Sequence, residues 1–154
     1  MDGGCACGAV RYRIEDDPLF VHCCHCSYCQ RETGSAFVIN VLIERSRLAV
    51  TGETAAATLP SASGRGQVVH RCPYCSVAVF SHYAGSGPAI AFVRGGTLDM
   101  PDAAPPDVHI FTTSALHWVQ IPSGATVFSE FYSPSKVWSD AARTRFRAAR
   151  DAIG

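Results

Sequence analysis

In the run VRYRI, Val10, Tyr12 and Ile14 alternate with Arg11 and Arg13. A period of two is the pattern of a strand with one buried face. Comparable runs recur along the chain: LFVHCC, SAFVINVLI, RLAVTG, QVVHRC, VAVFSHY, AIAFVR, VHIFT, WVQI and TVFSEFY. Turn formers separate them, among them Asp17-Pro18, Gly52, PSASGRG, AGSGP and PSG. Many short strands between turns predict an all-β fold. The proline-rich GGTLDMPDAAPPD, residues 95–107, reads as a loop or lid. One segment departs from the β pattern. In SDAARTRFRAARDAIG, Ala142, Phe146, Ala149 and Ile153 fall at helical spacing behind Ser139, a fitting N-cap. A short C-terminal helix over about residues 139–152 is expected.

Length adds that 154 residues fit a single domain spanning 1–154. Lys+Arg and Asp+Glu both number 13, so the formal net charge is zero. That argues against a bulk polyanion partner, and nucleic acid is not expected. Arg143, Arg145, Arg147 and Arg150 in the tail read as a solvated helix face; the sharper reading is a contact with RNA or an acidic partner. The N-terminus has neither a basic stretch nor an apolar stretch of the kind a signal peptide carries. The run AFVINVLI is too short to span a bilayer. A cytoplasmic protein is expected, and in a reducing compartment eight cysteines point to metal ligands or catalytic thiols rather than disulfides.

The cysteines sort by spacing. Cys5 and Cys7 form C-x-C, and Cys72 and Cys75 form C-x-x-C in RCPYC. Two separated pairs suit a closed tetrahedral zinc site. Residues i and i+2 of a strand point the same way, and a tight turn lets the sulfurs of CPYC converge. Four buried free thiols, or a redox role for CPYC, are the alternatives. The third group is VHCCHCSYCQRETGSAF, residues 21–37. If extended, it places His22, Cys24 and Cys26 on one face and Cys23 and His25 on the other. Cys29 returns three residues later, so Cys24, Cys26 and Cys29 form a three-thiolate set. A fourth position left open marks a catalytic zinc, whereas one filled by His22 or Cys23 marks a closed structural site. The residues leave both open.

The ordered motifs GGCACGAVRY, CHCSYCQRETGSAF and RCPYC, followed by DVHIFTTSALHWVQIP and FSEFY, resemble the glutathione-dependent formaldehyde-activating enzyme family, which includes centromere protein V type domains. The resemblance covers about Gly3 to Tyr132. It implies a zinc-dependent β-tent (Mss-four-like) fold of coiled antiparallel sheets. It implies a structural zinc on Cys5, Cys7, Cys72 and Cys75, and a second zinc on Cys24, Cys26 and Cys29 with a position for a thiol. The implied activity joins glutathione to formaldehyde as S-hydroxymethylglutathione, formally a carbon–sulfur lyase reaction. Two features depart from the family pattern. Ser76 stands where a glycine usually follows the C-x-x-C, and glycine there would tolerate positive φ. The extra Cys23 lies beside the ligand set.

Other candidates surround this set. Arg31 could fork onto a substrate carboxylate, and Gln30 and Ser35 could hydrogen-bond a peptide-like thiol. His25 could relay protons, although on the strand reading it points away from the metal. His82, His109 and His117 read as hydrogen-bonded structural residues, and Trp118 as core. The competing functions are a zinc-dependent thiol–aldehyde adduct enzyme, a non-catalytic zinc module binding glutathione or a protein, and a nucleic-acid module.

Overall fold

A computed structural model describes residues 1–153. Among these residues ten strands form two sheets. Strands β1 (Asp2–Gly4), β2 (Arg11–Ile14) and β5 (Leu48–Thr51) make a three-stranded sheet in the order β1-β2-β5. The other seven are β3 (Phe20–Cys24), β4 (Val38–Glu44), β6 (Ala55–Leu59), β7 (Gln67–Arg71), β8 (Ala78–Tyr83), β9 (Ile90–Arg94) and β10 (Val108–Ile110). Their order is β10-β3-β4-β9-β8-β7-β6. Among the described residues there are three α-helices, α1 (Ser27–Thr33), α2 (Pro134–Val137) and α3 (Asp140–Asp151). The all-β expectation with a short C-terminal helix holds.

The central strands β4 and β9 are buried along nearly their whole length because both of their faces are covered. Val41, Ile43, Ala91 and Val93 enter one core with Tyr12, Ile14 and Leu48 of the small sheet. Leu42, Ile90 and Phe92 enter a second core, closed by Tyr132, Trp138, Ala142 and Phe146 from the C-terminal segment. Helix α3 is fastened by charge as well. Arg145 donates Nε and Nη2 to the two carboxylate oxygens of buried Glu44, at 2.8 and 2.7 Å. Arg143 pairs with Asp140 on its own helix. The tail arginines are therefore not one uniformly solvated face. Ile153, expected on the apolar side, is 57% exposed.

Several elements differ from expectation. Strand β10 pairs parallel to β3, with His109 opposite Cys23, so the large sheet is mixed. WVQI forms no strand, and TVFSEFY contributes only an isolated bridge from Val127 to His109. Trp118, expected in the core, is 64% exposed. The CHCSYC segment leaves β3 at Cys24 and turns into α1, whose N-cap is Cys26 in extended conformation. Gly34 ends that helix with φ 65°, a left-handed position that suits glycine. The loop 95–107 carries two 3-10 turns. Among the described residues no helix is long and apolar enough to cross a membrane.

Candidate metal centres and the pocket

Cys5 and Cys7 meet Cys72 and Cys75, and their four sulfurs lie within 4.8 Å of one another. Cys5 Sγ is 3.5 Å from Cys7 Sγ, which is 3.6 Å from Cys72 Sγ. A tetrahedron with metal–sulfur bonds of about 2.3 Å has sulfur–sulfur edges of about 3.8 Å, so the four sulfurs fit a zinc ion. All eight cysteines are free thiols. Burial pushes the Cys5 thiol up, but the backbone N–H of Val10 and the neighbouring thiols outweigh it and bring it down to about 6. The CPYC turn is closed by Ser76 N–H donating to the Cys72 carbonyl at 2.9 Å. Ser76 takes φ 61° there, the left-handed conformation that glycine would adopt without a Cβ clash.

Cys24, Cys26 and Cys29 also converge, with all three sulfurs buried and within 4.8 Å of one another. They come from a strand end, a helix N-cap and the first turn of α1. Hydrogen bonds from Cys24 and Cys29, then the backbone N–H groups of Cys29 and Tyr28, draw the Cys26 thiol down to about 3 against its burial. Cys24 is driven upward by the sulfurs of Cys26 and Cys29 and by desolvation. Such a group holds its first negative charge on Cys26. Three thiolates on adjacent atoms need a cation to exist together. The residues present therefore fit a thiophilic metal such as zinc.

Neither His22 nor Cys23 joins this trio. Trp138 Nε1 donates to Tyr132 Oη at 2.6 Å, which leaves the tyrosine proton for His22 Nε2 at 2.5 Å. An imidazole nitrogen that accepts this bond is not free to ligate. Burial drops the His22 pKa to about 3. Cys23 lies on the other side of the strand, 3.5 Å from His25 Nε2.

The trio lies at one wall of a cavity of about 680 Å³. Leu42, Phe92, Ile110, Phe111 and Trp138 give it an apolar lining. Phe111 holds φ 55° to face it, a strained conformation for an aromatic residue. The polar groups are few. Tyr83 Oη sits 3.7 Å from Cys29 Sγ, and burial raises its pKa well above the usual range, so it stays protonated. Asn40 and Gln67 line the cavity while buried Arg94 takes their amide oxygens. Arginine has only donors, so the two amide N–H₂ groups are what remains for the cavity. Arg65, Arg150 and Glu130 are exposed and line it.

The residues expected around the trio are placed differently. Arg31 and Ser35 are exposed, and neither they nor Gln30 line the cavity. Gln30 Nε2 donates to the carbonyls of His25 and Ser114, at 2.7 and 2.9 Å, and braces the loop. His82 donates or accepts through Nδ1 at the Ile90 carbonyl, 2.7 Å away, and the acceptor there is an oxygen, so Nδ1 donates. His117 is exposed. Sequence reasoning missed Tyr83, Asn40, Gln67, Arg65 and Glu130 because strands and loops far apart in the chain bring them together.

A protein of Halomonas elongata, named as a candidate glutathione-dependent formaldehyde-activating enzyme, is 27% identical over 130 residues, covering 80% of this chain and 82% of that protein. The crystal structure of a Rhodobacter sphaeroides protein aligns with a TM-score of 0.48 at 24% identity, over 64% of this chain and 88% of that one. The profile of the glutathione-dependent formaldehyde-activating enzymes matches residues 1–114, and the chain belongs to that family.

Proposed function

We propose that the protein is a zinc-dependent carbon–sulfur lyase-type enzyme that joins glutathione, or a closely similar thiol, to formaldehyde as the S-hydroxymethyl adduct. The observation that carries this reading is the trio of buried thiols opening on a cavity without a fourth protein ligand. Cys24, Cys26 and Cys29 would hold one zinc, and Cys5, Cys7, Cys72 and Cys75 a second, structural one. When bound to the trio, zinc supplies an open position for a sulfur ligand and lowers the pKa of a thiol there.

The chain's own residues account for the rest. Glutathione carries two carboxylates and an ammonium group; Arg65 and Arg150 suit the first and Glu130 the second. The amide N–H₂ groups of Asn40 and Gln67 suit the peptide carbonyls of the thiol. The apolar walls keep bulk water from the aldehyde. In the reaction the thiolate sulfur forms a bond to the aldehyde carbon, the carbonyl π pair moves to oxygen, and that oxygen takes a proton. Tyr83 is the protonated donor nearest the thiolates and serves as the proton source, regaining its proton from solvent.

The test is the rate of S-hydroxymethylglutathione formation, followed by exchange NMR over the uncatalysed background. Zinc-loaded protein should accelerate it. Arg65→Ala and Arg150→Ala should raise KM for glutathione about tenfold each and leave the rate with 2-mercaptoethanol unchanged. Absence of acceleration with zinc bound at both sites would sink the enzyme reading and leave a thiol-binding module.

A further inference from the structure

On the face of β3 away from the thiol trio, Cys23, His25 and His109 bring one sulfur and two imidazole nitrogens within 4.8 Å of one another. His25 Nε2 is 3.5 Å from Cys23 Sγ and 3.0 Å from His109 Nδ1. A tetrahedral zinc with bonds of about 2.3 Å to sulfur and 2.05 Å to nitrogen has sulfur–nitrogen edges of about 3.6 Å and nitrogen–nitrogen edges of about 3.3 Å. Both distances from His25 Nε2 stand within a few tenths of an ångström of those edges, and the Cys23 sulfur and the His109 nitrogen lie within 4.8 Å of each other. We propose that Cys23, His25 and His109 form a third metal site, for a zinc-type divalent cation, separate from both cysteine-only sites.

A hydrogen-bonded cluster explains the arrangement less well. His25 Nε2 can act as one donor or one acceptor, yet a thiol and an imidazole nitrogen both converge on it. Cys23 is 1% exposed and His25 is fully buried, so water does not serve the surplus groups. A cation takes all three lone pairs at once. The donor set also selects the ion. One thiolate and two neutral imidazoles suit borderline zinc, and the absence of carboxylates from the group disfavours magnesium and calcium.

The scaffold holds these donors in place before any ion arrives. Cys23 and His109 are directly opposed in the β3–β10 register. The His25 N–H donates to the Ile110 carbonyl at 3.0 Å, and its own carbonyl accepts from Gln30 Nε2 and Ser114 Oγ. His109 is fixed on its other side, its N–H donating to the Thr126 carbonyl at 2.8 Å and its carbonyl accepting from the Phe128 N–H at 2.9 Å. Its half-buried ring gives an ion a route from solvent. The site would clamp β10 to the segment between Cys24 and Cys26, because His25 sits between those two residues.

The full-length chain, reduced and metal-free, is titrated with Cd²⁺ and followed by ¹¹³Cd NMR, with far-UV circular dichroism as the fold control. The expected result is a resonance of mixed nitrogen–sulfur ligation besides the sulfur-only ones. His109→Ala should abolish that resonance and lose one metal equivalent while the sulfur-only resonances stay. Equal stoichiometry in wild type and His109→Ala, or only sulfur-only resonances, overturns the site. Should His109→Ala fail to fold, imidazole ¹⁵N spectra of the wild type decide. Zn²⁺ that moves His25 Nε2 and His109 Nδ1 together supports the site, and unmoved nitrogens overturn it. Both readouts are independent of formaldehyde or glutathione turnover, so they stand whether or not the chain proves to be an enzyme.

Discussion

Cys26 Sγ accepts the backbone N–H of Cys29 at 3.4 Å, so one proposed ligand caps the helix that carries the next. The cap and the ligand set are the same local structure. This makes Cys26→Ser an informative change. Serine is among the best N-cap residues, so α1 should keep its cap and the fold its stability. The adduct-forming activity should fall by about 100-fold or more, the upper end of what indirect changes at zinc sites cost. Circular dichroism and exchange NMR on the same sample check both halves. An unfolded Cys26→Ser protein would mean that the trio holds the fold together rather than serving a substrate.

The Cys72→Ser change has the opposite expectation. Cys72 is 1% exposed and packs in the core shared by the two sheets. Its partners Cys5 and Cys7 lie at the start of the chain, so a metal there closes a loop of nearly half the protein. Metal binding at such a site contributes directly to folding free energy. The variant should lose soluble fold, and a strong chelator should lower the melting temperature of the wild type. A Cys72→Ser protein that melts with the wild type would remove the structural role from this cluster.

Ser76→Gly should stabilise the protein. Ser76 holds φ 61°, which costs a non-glycine residue about 1–2 kcal/mol. Glycine recovers this but loses about 0.5–1 kcal/mol through the greater freedom of its unfolded chain. The net gain should lie between about zero and about 1.5 kcal/mol, with Tm rising roughly 2–4 °C per kcal/mol at this size. Thermal melts of the metal-loaded proteins measure it, and a lower Tm for the variant would contradict the argument.

The strain at Ser76 was legible through the resemblance, because a glycine usually follows the C-x-x-C in that family. The three cysteine groups and the final helix were legible in the chain itself, where chemistry and periodicity are local. Non-local pairing was not legible. His109 reads as an isolated histidine until β10 docks parallel on β3 and sets it opposite Cys23. Asn40 and Gln67 are unremarkable in their own strands until Arg94 of β9 orients both. Arg31, adjacent in sequence to the trio, turns outward because α1 rotates it away. Sequence proximity to the trio was a poor guide to position in the cavity, whereas residue type and spacing were a good guide to which thiols converge.

Arg145→Ala tests how α3 is held. Glu44 has a side chain only 5% exposed, and Arg145 covers it with a two-pronged bond. Removing the arginine leaves a buried carboxylate with the more distant Arg47, at 3.6 Å, as its remaining partner. The loss should be about 1–3 kcal/mol, the cost of leaving a buried hydrogen-bonding group unpaired. Adding Glu44→Gln should recover part of it, since the charge is then gone. Denaturant unfolding of the two single variants and the double gives the coupling. Strict additivity would show that the pair does not hold the helix.

The last prediction concerns alkaline pH. Tyr12 is 3% exposed, and its hydroxyl lies 2.7 Å from Thr97 Oγ1. Thr97 donates its own proton to the Arg94 carbonyl at 2.7 Å, so Tyr12 is the donor of the pair. Desolvation by burial raises Tyr12 from 10.0 to about 12. Between those values the folded chain keeps a proton that the unfolded chain has released. The native state then binds more protons, so the free energy of unfolding falls as pH rises through this window. The full contribution is present below pH 10 and amounts to about 2–3 kcal/mol at about 1.4 kcal/mol per pK unit. Burial also raises Tyr83 and Tyr132, which act in the same direction. Tyr12→Phe should cost about 1 kcal/mol at neutral pH through the lost hydrogen bond, yet should show a shallower decline above pH 10. Guanidinium midpoints measured across the alkaline range provide the comparison. Parallel declines in variant and wild type would mean that Tyr12 keeps no raised pKa in the folded protein.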